Sequence, residues 1–219
     1  MDIVTGVGVL DKAVHVLRAV ADEPRSLSGL QTATGLPRAT AHRLAVALET
    51  HGLLRRDDDG RFDLGPELAS LGRTAAERFP LAGLALPALQ SLRASTDESV
   101  QLFVREGAHR RCVVSLQSPH ALRWIVPEGV LFPLDVGSAG RVLSGEITAS
   151  GWVESVEERE SGVASVSASI LDTDGSIVGA VSVSGPIDRL TRRPGELFGT
   201  RVVTAASDIS GMLGTTPRN

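Results

Sequence analysis

The sequence predicts an α+β protein: a winged helix-turn-helix over residues 1–64, a linker helix over 65–79 and a mixed, sensor-like domain over 80–219. Three observations predict it. Up to His51 the apolar residues recur at the helical period in three short runs, punctuated by Pro24 and Gly35. Two apolar-alternating runs then flank an Asp-Gly pair, a strong hairpin signal. From Ser99 the period drops to two and β-branched residues dominate.

Each element has its own warrant. In "VGVLDKAVHVLRAVA", Leu10, Ala13, Val14, Leu17 and Val20 share helical spacing, and Pro24 cannot continue the helix. Ser26 or Ser28 can cap "LSGLQTAT", which turns Leu27 and Leu30 inward and closes at Gly35. Pro37 suits the first turn of a third helix, where its missing N–H costs nothing. That helix runs to about His51. Its inward stripe is Ala41, Leu44, Ala45 and Leu48, and its other face carries Arg38, Thr40, His42 and Arg43. "LLRRDDDGRFDL" is the hairpin, and "GPELASLGRTAAERF", polar over much of its surface, is the linker helix. "LAGLALPALQSLRAST" opens the second domain as a helix. "SVQLFVREG", "RRCVVSLQS" and "LRWIVPEG" read as strands, and "DVGSAGRVLSG" as a glycine-rich turn entering a helix. Two strands joined around Asp174-Gly175 follow, then a closing helix from about Glu196 to Leu213.

Composition narrows the classes. No apolar run reaches the roughly 20 residues needed to span a bilayer, and the first residues lack the basic segment of a signal peptide. With a single cysteine, these features point to the cytoplasm and away from a membrane. The net charge of −4 argues against blanket attraction to nucleic acid but permits a local basic face. Residues 1–64 hold eight basic and nine acidic side chains, so one copy would bind DNA weakly. A dimer doubles the phosphate contacts and reads a palindrome.

Three helices and a hairpin describe a winged helix-turn-helix whose third helix presents guanidinium and hydroxyl groups to phosphates or base edges. Arg38, Thr40, His42 and Arg43 are the candidate DNA contacts, with Arg61 at the wing tip. The alternative class is a metabolite-binding or enzymatic domain whose winged helix docks a protein. In the second domain, "GSAGR" opens a helix whose free N–H groups can hold a carboxylate or phosphate, or is simply a turn. Ser165, Ser167, Ser182 and Ser184 alternate on neighbouring strands, so their hydroxyls line one sheet face, either a small pocket or a solvated surface. Catalysis has little support. Cys112 lies mid-strand as an inert thiol, and His109 and His120 lack metal-ligand spacing. "EERE" (Glu157–Glu160) reads as a solvated charge run, and Trp124 and Trp152 as packing residues or pocket walls.

Taken together, "GVGVLDKAVHVLRAVAD", "LSGLQTATGLPRATAHRLAVALETHGLLRRDDDGRFDLGPEL" and "ERESGVASVSASILDTDGSIVGAVSVSGPIDRL" resemble the IclR family of bacterial transcription regulators over nearly the whole chain. The wording is most similar to the actinobacterial subgroup that controls leucine and related amino-acid biosynthesis. The resemblance implies a GAF-like effector domain, no cofactor, no enzymatic activity, and dimers or tetramers acting on palindromic operators, commonly as repressors. It implies effector contacts at the turn Ser138, Ala139 and Gly140 and on strands at Ser165, Ser182 and Ser184. Ser155 matches a position where some members bear an aspartate. The effector so implied is a small molecule such as an amino acid or keto acid. One departure is large: the family's helical stretch of a few dozen residues after "GSAGR" is reduced here to "VLSGEITA", which shortens one wall of the pocket.

Overall fold

The computed structural model describes residues 7–78 and 80–215. The chain divides into two compact units, residues 1–79 and 80–219.

The first unit packs three helices under a hairpin. Helices α1 (Gly8–Asp22), α2 (Leu27–Thr34) and α3 (Arg38–Thr50) enclose Val16, Val20, Leu30, Leu44, Ala45 and Leu48. Ser26 caps α2, its Oγ accepting from the Gly29 N–H at 3.2 Å. Gly35 ends that helix at φ 66°, a left-handed conformation that glycine adopts without steric cost. Strands β1 (Leu54–Arg56) and β2 (Phe62–Leu64) pair antiparallel, and Leu54 and Phe62 close the core. The link between α1 and α2 joins them: Arg25 and Phe62 exchange backbone hydrogen bonds of 2.8 and 2.7 Å. A Cβ at Gly65 would stand 2.1 Å from the Gly52 carbonyl oxygen, so only glycine lets the chain leave the wing so closely. Helix α4 (Pro66–Arg78) follows.

The second unit is one six-stranded antiparallel sheet in the order β5-β4-β3-β8-β7-β6. The strands are β3 (Ser99–Glu106), β4 (His109–Leu116), β5 (Leu131–Pro133), β6 (Val153–Val156), β7 (Val163–Leu171) and β8 (Ile177–Pro186). Helices α5 (Leu81–Thr96) and α8 (Pro194–Thr215) cover one face over Leu89, Leu102, Val166, Val181, Val202 and Ile209. The short α6 (Ser138–Leu143) covers the other over Phe103, Cys112, Val142, Leu143 and Ala180. A register shift sends Cys112 and Val114 to different faces. Leu102 pairs with Val114 but Phe103 with Cys112, so Val113 is the extra residue of a bulge. One turn of helix, α7 (Ile187–Leu190), precedes α8.

Some expectations change. In α1 the inward face is Val16, Ala19 and Val20 rather than a stripe beginning at Leu10, which is 53% exposed because the first turn projects beyond the core. "LRWIVPEG" is coil, not strand: Pro127 has no N–H for a ladder, and the segment crosses the α6 side of the sheet, with Trp124 and Val126 turned inward. The strand there is β5, just beyond it. Strand β6, in "WVESV", carries no sequence expectation; its four residues are too few for periodicity to register. The closing helix starts two residues before Glu196, at Pro194.

Candidate DNA-binding helix and effector cavity

Helix α3 begins at Arg38, directly after the Gly35 turn and Pro37, so its first two turns project the candidate contacts. Arg38, His42 and Arg43 are exposed and Thr40 is half-buried. Arg38 Nη1 reaches back to Gln31 Oε1 at 3.4 Å, a tie between the bracing helix and the one it braces. Among the described residues no carboxylate pairs with Arg38 or Arg43. The wing differs. Arg61 Nε donates to Asp57 at 2.8 Å and its Nη2 lies 2.9 Å from Asp59, and these acids raise its pKa, Asp57 most. Arg55 pairs with Asp63, and Arg56 stacks on Phe62 while reaching Glu49 at 3.4 Å. The arginines of the hairpin are thus already neutralised within the chain, and those of the helix are not.

The register of the second unit assembles the serines. Ser155 pairs with Ser165, Ser165 with Ser184 and Ser184 with Ser99; in the next row Ser167 pairs with Ser182 and Ser182 with Gln101. Because cross-strand partners share a face, these side chains form one polar patch under α6. It is buried, not solvated: Ser155, Ser167, Ser182 and Ser184 are each at most 6% exposed. The Ser138 hydroxyl at the start of α6 lies 2.7 Å from both Ser165 Oγ and Ser167 Oγ. A cavity of about 30 Å³ opens here, lined by Ser138, Ala139, Ser155, Ser165, Ser182 and Ser184. Gly140 stands outside that wall. A Cβ on it would fall 2.3 Å from the Leu134 carbonyl and 2.4 Å from Arg110 Nη1, so it gives α6 its close approach to β4 and β5.

The "EERE" segment is not simply solvated. Glu158 accepts from the Gly137 N–H at 2.9 Å and from Arg141 at 3.0 Å, so the turn before α6 already holds a carboxylate of its own chain. Arg159 turns inward onto the Phe132 ring at 4.1 Å and the Trp124 ring at 5.0 Å. Glu160 lies at the rim. The run misleads because it reads as uniform charge, whereas the edge of the sheet sends its second and third members to opposite tasks.

Five more lining residues escape the sequence: Gln101, Phe103, Arg110, Val126 and Val163. Arg110 is 2% exposed, stacked 5.5 Å from Phe103 and 5.4 Å from Phe132. Burial, and then the neighbouring Arg159 charge, lower its pKa to about 10. Burial also lowers that of Arg159. The signal was available: Arg110 lies two residues from Cys112, hence on the same strand face. Among the described residues no group of His, Cys, Asp and Glu is arranged to hold a metal ion.

Two family models match the chain: the IclR helix-turn-helix domain over residues 9–58, and the bacterial transcriptional regulator IclR C-terminal domain over residues 145–211. The glycerol operon regulatory protein of Streptomyces coelicolor is 31% identical over 86% of this chain and 88% of its own. The HTH-type transcriptional regulator KipR of Bacillus subtilis is 26% identical over 94% of this chain and 96% of its own. That alignment runs over 241 positions, more than the 219 residues present here, so KipR carries segments this chain lacks. Among solved structures, an IclR homologue from Microbacterium hydrocarbonoxydans complexed with 4-hydroxybenzoate has a TM-score of 0.77 at 21% identity, covering 94% of this chain and 98% of the other. Thermotoga maritima IclR has a TM-score of 0.74 at 22% identity, with coverages of 94% and 99%.

Proposed function

The chain belongs to the IclR family of bacterial transcriptional regulators, and from that premise we propose that it binds palindromic operators as a dimer or tetramer through Arg38, Thr40, His42 and Arg43. Proteins of this family are DNA-binding regulators and not enzymes. The observation that carries the assignment of contacts is the contrast between α3 and the wing. Arg38 and Arg43 stand exposed without an acid, whereas Arg61 is held by Asp57 and Asp59. Guanidiniums not already neutralised by an acid of their own chain are the ones a phosphate or a guanine edge can engage. Arg61 adds a weaker contact, since it must first leave its acids. Self-association is supported by Val9 and Leu10 on α1, 63% and 53% exposed, and by Leu71 on α4, 54% exposed. In this reading residues 65–79 link the two domains, and the protein acts in the cytoplasm, where its DNA target lies.

The second domain senses a small metabolite at the cavity of Ser138, Ala139, Ser155, Ser165, Ser182 and Ser184, with Gly140 shaping the turn behind it. Occupancy changes operator affinity by no more than the metabolite's preference between arrangements of the paired DNA-binding domains. The wording of "GVGVLDKAV" and "GLPRATAHRLAVALE" supports control of amino-acid biosynthesis, with an amino acid or keto acid as effector. A second reading, control of glycerol or related polyol use, is favoured by the relative from Streptomyces coelicolor, which is a glycerol operon regulatory protein.

The test uses duplexes selected from a random pool by the purified protein, followed by fluorescence anisotropy at fixed salt. Arg43→Ala should weaken binding to every selected sequence alike, as loss of a phosphate contact does. Arg38→Ala should also flatten preference at one or two base positions, by roughly 1–3 kcal/mol. Wild-type affinity in both variants would remove α3 as the reading element.

A further inference from the structure

Two arginines meet inside the second unit without a counter-ion. Arg110 and Arg159 flank the Phe132 ring, 5.4 and 4.1 Å from its centroid, and both line the cavity. Neither forms an ion pair with a carboxylate among the described residues. Asp135 and Glu160 act on them only at a distance, Asp135 on Arg110 and Glu160 on Arg159. Aromatic faces offset part of the cost of burying a guanidinium, but they do not neutralise it.

The unmet hydrogen bonds fall in the same place. Among the described residues, Gln101 Nε2, Arg110 Nε and Trp124 Nε1 are buried with no partner, and all three side chains line this cavity. Gln101 is 1% exposed and Arg110 2%. The Gln101 carbonyl oxygen is already occupied by the Ser184 hydroxyl at 2.8 Å, which leaves its amide as donor. Guanidinium and indole N–H groups can only donate. What the cavity lacks is therefore acceptor atoms carrying negative charge. The free volume among these donors is small, about 30 Å³, which favours a compact group there.

We infer that this cavity holds a compact oxyanion of two negative charges, a phosphoryl group or a short dicarboxylate, gripped by Arg110 and Arg159 and oriented by the N–H groups of Gln101 and Trp124. The serine hydroxyls supply the remaining contacts, since each can donate or accept. A single carboxylate would neutralise the buried Arg110 and leave the half-buried Arg159 beside it uncompensated. The inference deepens the reading of this cavity as the effector site: it replaces a neutral or singly charged effector by a doubly charged one.

Calorimetric titration of the full-length protein tests it, with inorganic phosphate and malonate as the two dianion probes and acetate as the single-charge control at matched ionic strength. At least one dianion should bind ten times or more tightly than acetate, and which one does so separates a phosphoryl from a dicarboxylate ligand. Arg159→Gln should weaken that binding at least tenfold, while Arg123→Gln, a half-buried arginine next to Trp124 but outside the cavity, leaves it unchanged. Should Arg159→Gln fail to fold, Trp124→Phe keeps an aromatic face, removes the N–H and should still weaken the dianion several-fold. Dianions that bind no better than acetate, or equal binding by Arg159→Gln and wild type, overturn the inference. The same preparations are assayed on selected duplexes. Duplex binding without dianion preference sinks only this inference. Dianion binding that leaves duplex affinity untouched sinks only the regulatory reading of the cavity.

Discussion

Cys112 lies mid-strand in β4 with 0% exposure, and burial, followed by the Glu128 charge, pushes its thiol up to about 12. In the unfolded chain a thiol ionises near about 8.5. The native state therefore keeps a proton that the unfolded state loses. The stability this contributes is complete below about pH 8.5 and is lost as pH rises from there towards 12. Arg110 acts in the opposite sense, because its lowered value, about 10, makes the native state release its proton first. Its effect starts at higher pH, so the interval between about 8.5 and 10 isolates the cysteine. Urea unfolding should show stability falling there by about 1–2 kcal/mol in the wild type, and Cys112→Ala should lose that slope. The native thiol should also stay unreactive towards a thiol reagent at pH 8 and react once urea unfolds the chain. A second buried ion makes a simpler prediction. Glu98 is 2% exposed and bound in bidentate fashion by Arg189. Glu98→Ala should cost about 1.5–3 kcal/mol, the worth of hydrogen bonds to a charged group and less than for a fully buried pair because Arg189 stays 28% exposed, read as a lowered urea midpoint. At this scale the sequence was half legible. The serines announce themselves by alternation, and the registers Ser165–Ser184 and Ser167–Ser182 bring them together. Arg110, Arg159 and Gln101 stay hidden because a charged or amide side chain normally marks the solvent face, and only their surroundings invert that rule.

Among the elements, helices with a one-sided apolar stripe were readable from spacing, and α3 buries Ala41, Leu44, Ala45 and Leu48 as the spacing implies. The segments that escaped are those whose conformation is set by neighbours: β6, α7 and the 117–130 coil. The contact of β6 with α8 shows how. Trp152, just before β6, lays its indole on α8 where Gly195 and Gly199 stand four apart, one above the other. A Cβ on Gly195 would fall 1.9 Å from the ring and one on Gly199 2.5 Å, so each glycine is a seat for the indole. Alanine favours a helix over glycine by about 1 kcal/mol. Gly199→Ala would therefore stabilise α8 in isolation. In the folded unit the overpacking should exceed that gain, for a net loss of about 1–2 kcal/mol, read by urea unfolding. A double variant with Trp152→Ala should recover the helix-propensity gain relative to Trp152→Ala alone. If Gly199→Ala instead stabilises the wild type, the indole is not seated as described.

At the level of the whole molecule the charge balance decides what kind of DNA binding is open to it. A chain of net charge −4, whose first 64 residues hold one more acid than base, has no general attraction to a polyanion. Binding must come from a few guanidiniums placed at phosphates and repeated by symmetry. Two arginines on α3 that no acid neutralises among the described residues, Arg38 and Arg43, give four in a dimer. At about 0.9 released counter-ion per neutralised phosphate, log K should then fall with log salt at a slope of about −4 if all four touch phosphate, and less steeply if Arg38 reads a base. Anisotropy titrations on one selected duplex across a range of salt concentrations measure it. Arg43→Ala removes two contacts per dimer and should lower the slope by about 2. Arg61→Ala should lower it little, because that side chain is already bound by Asp57 and Asp59. A wild-type slope near −8 would mean that the wing arginines abandon their acids to join the contact. A slope near zero, with affinity indifferent to salt, would mean that α3 does not face a duplex at all.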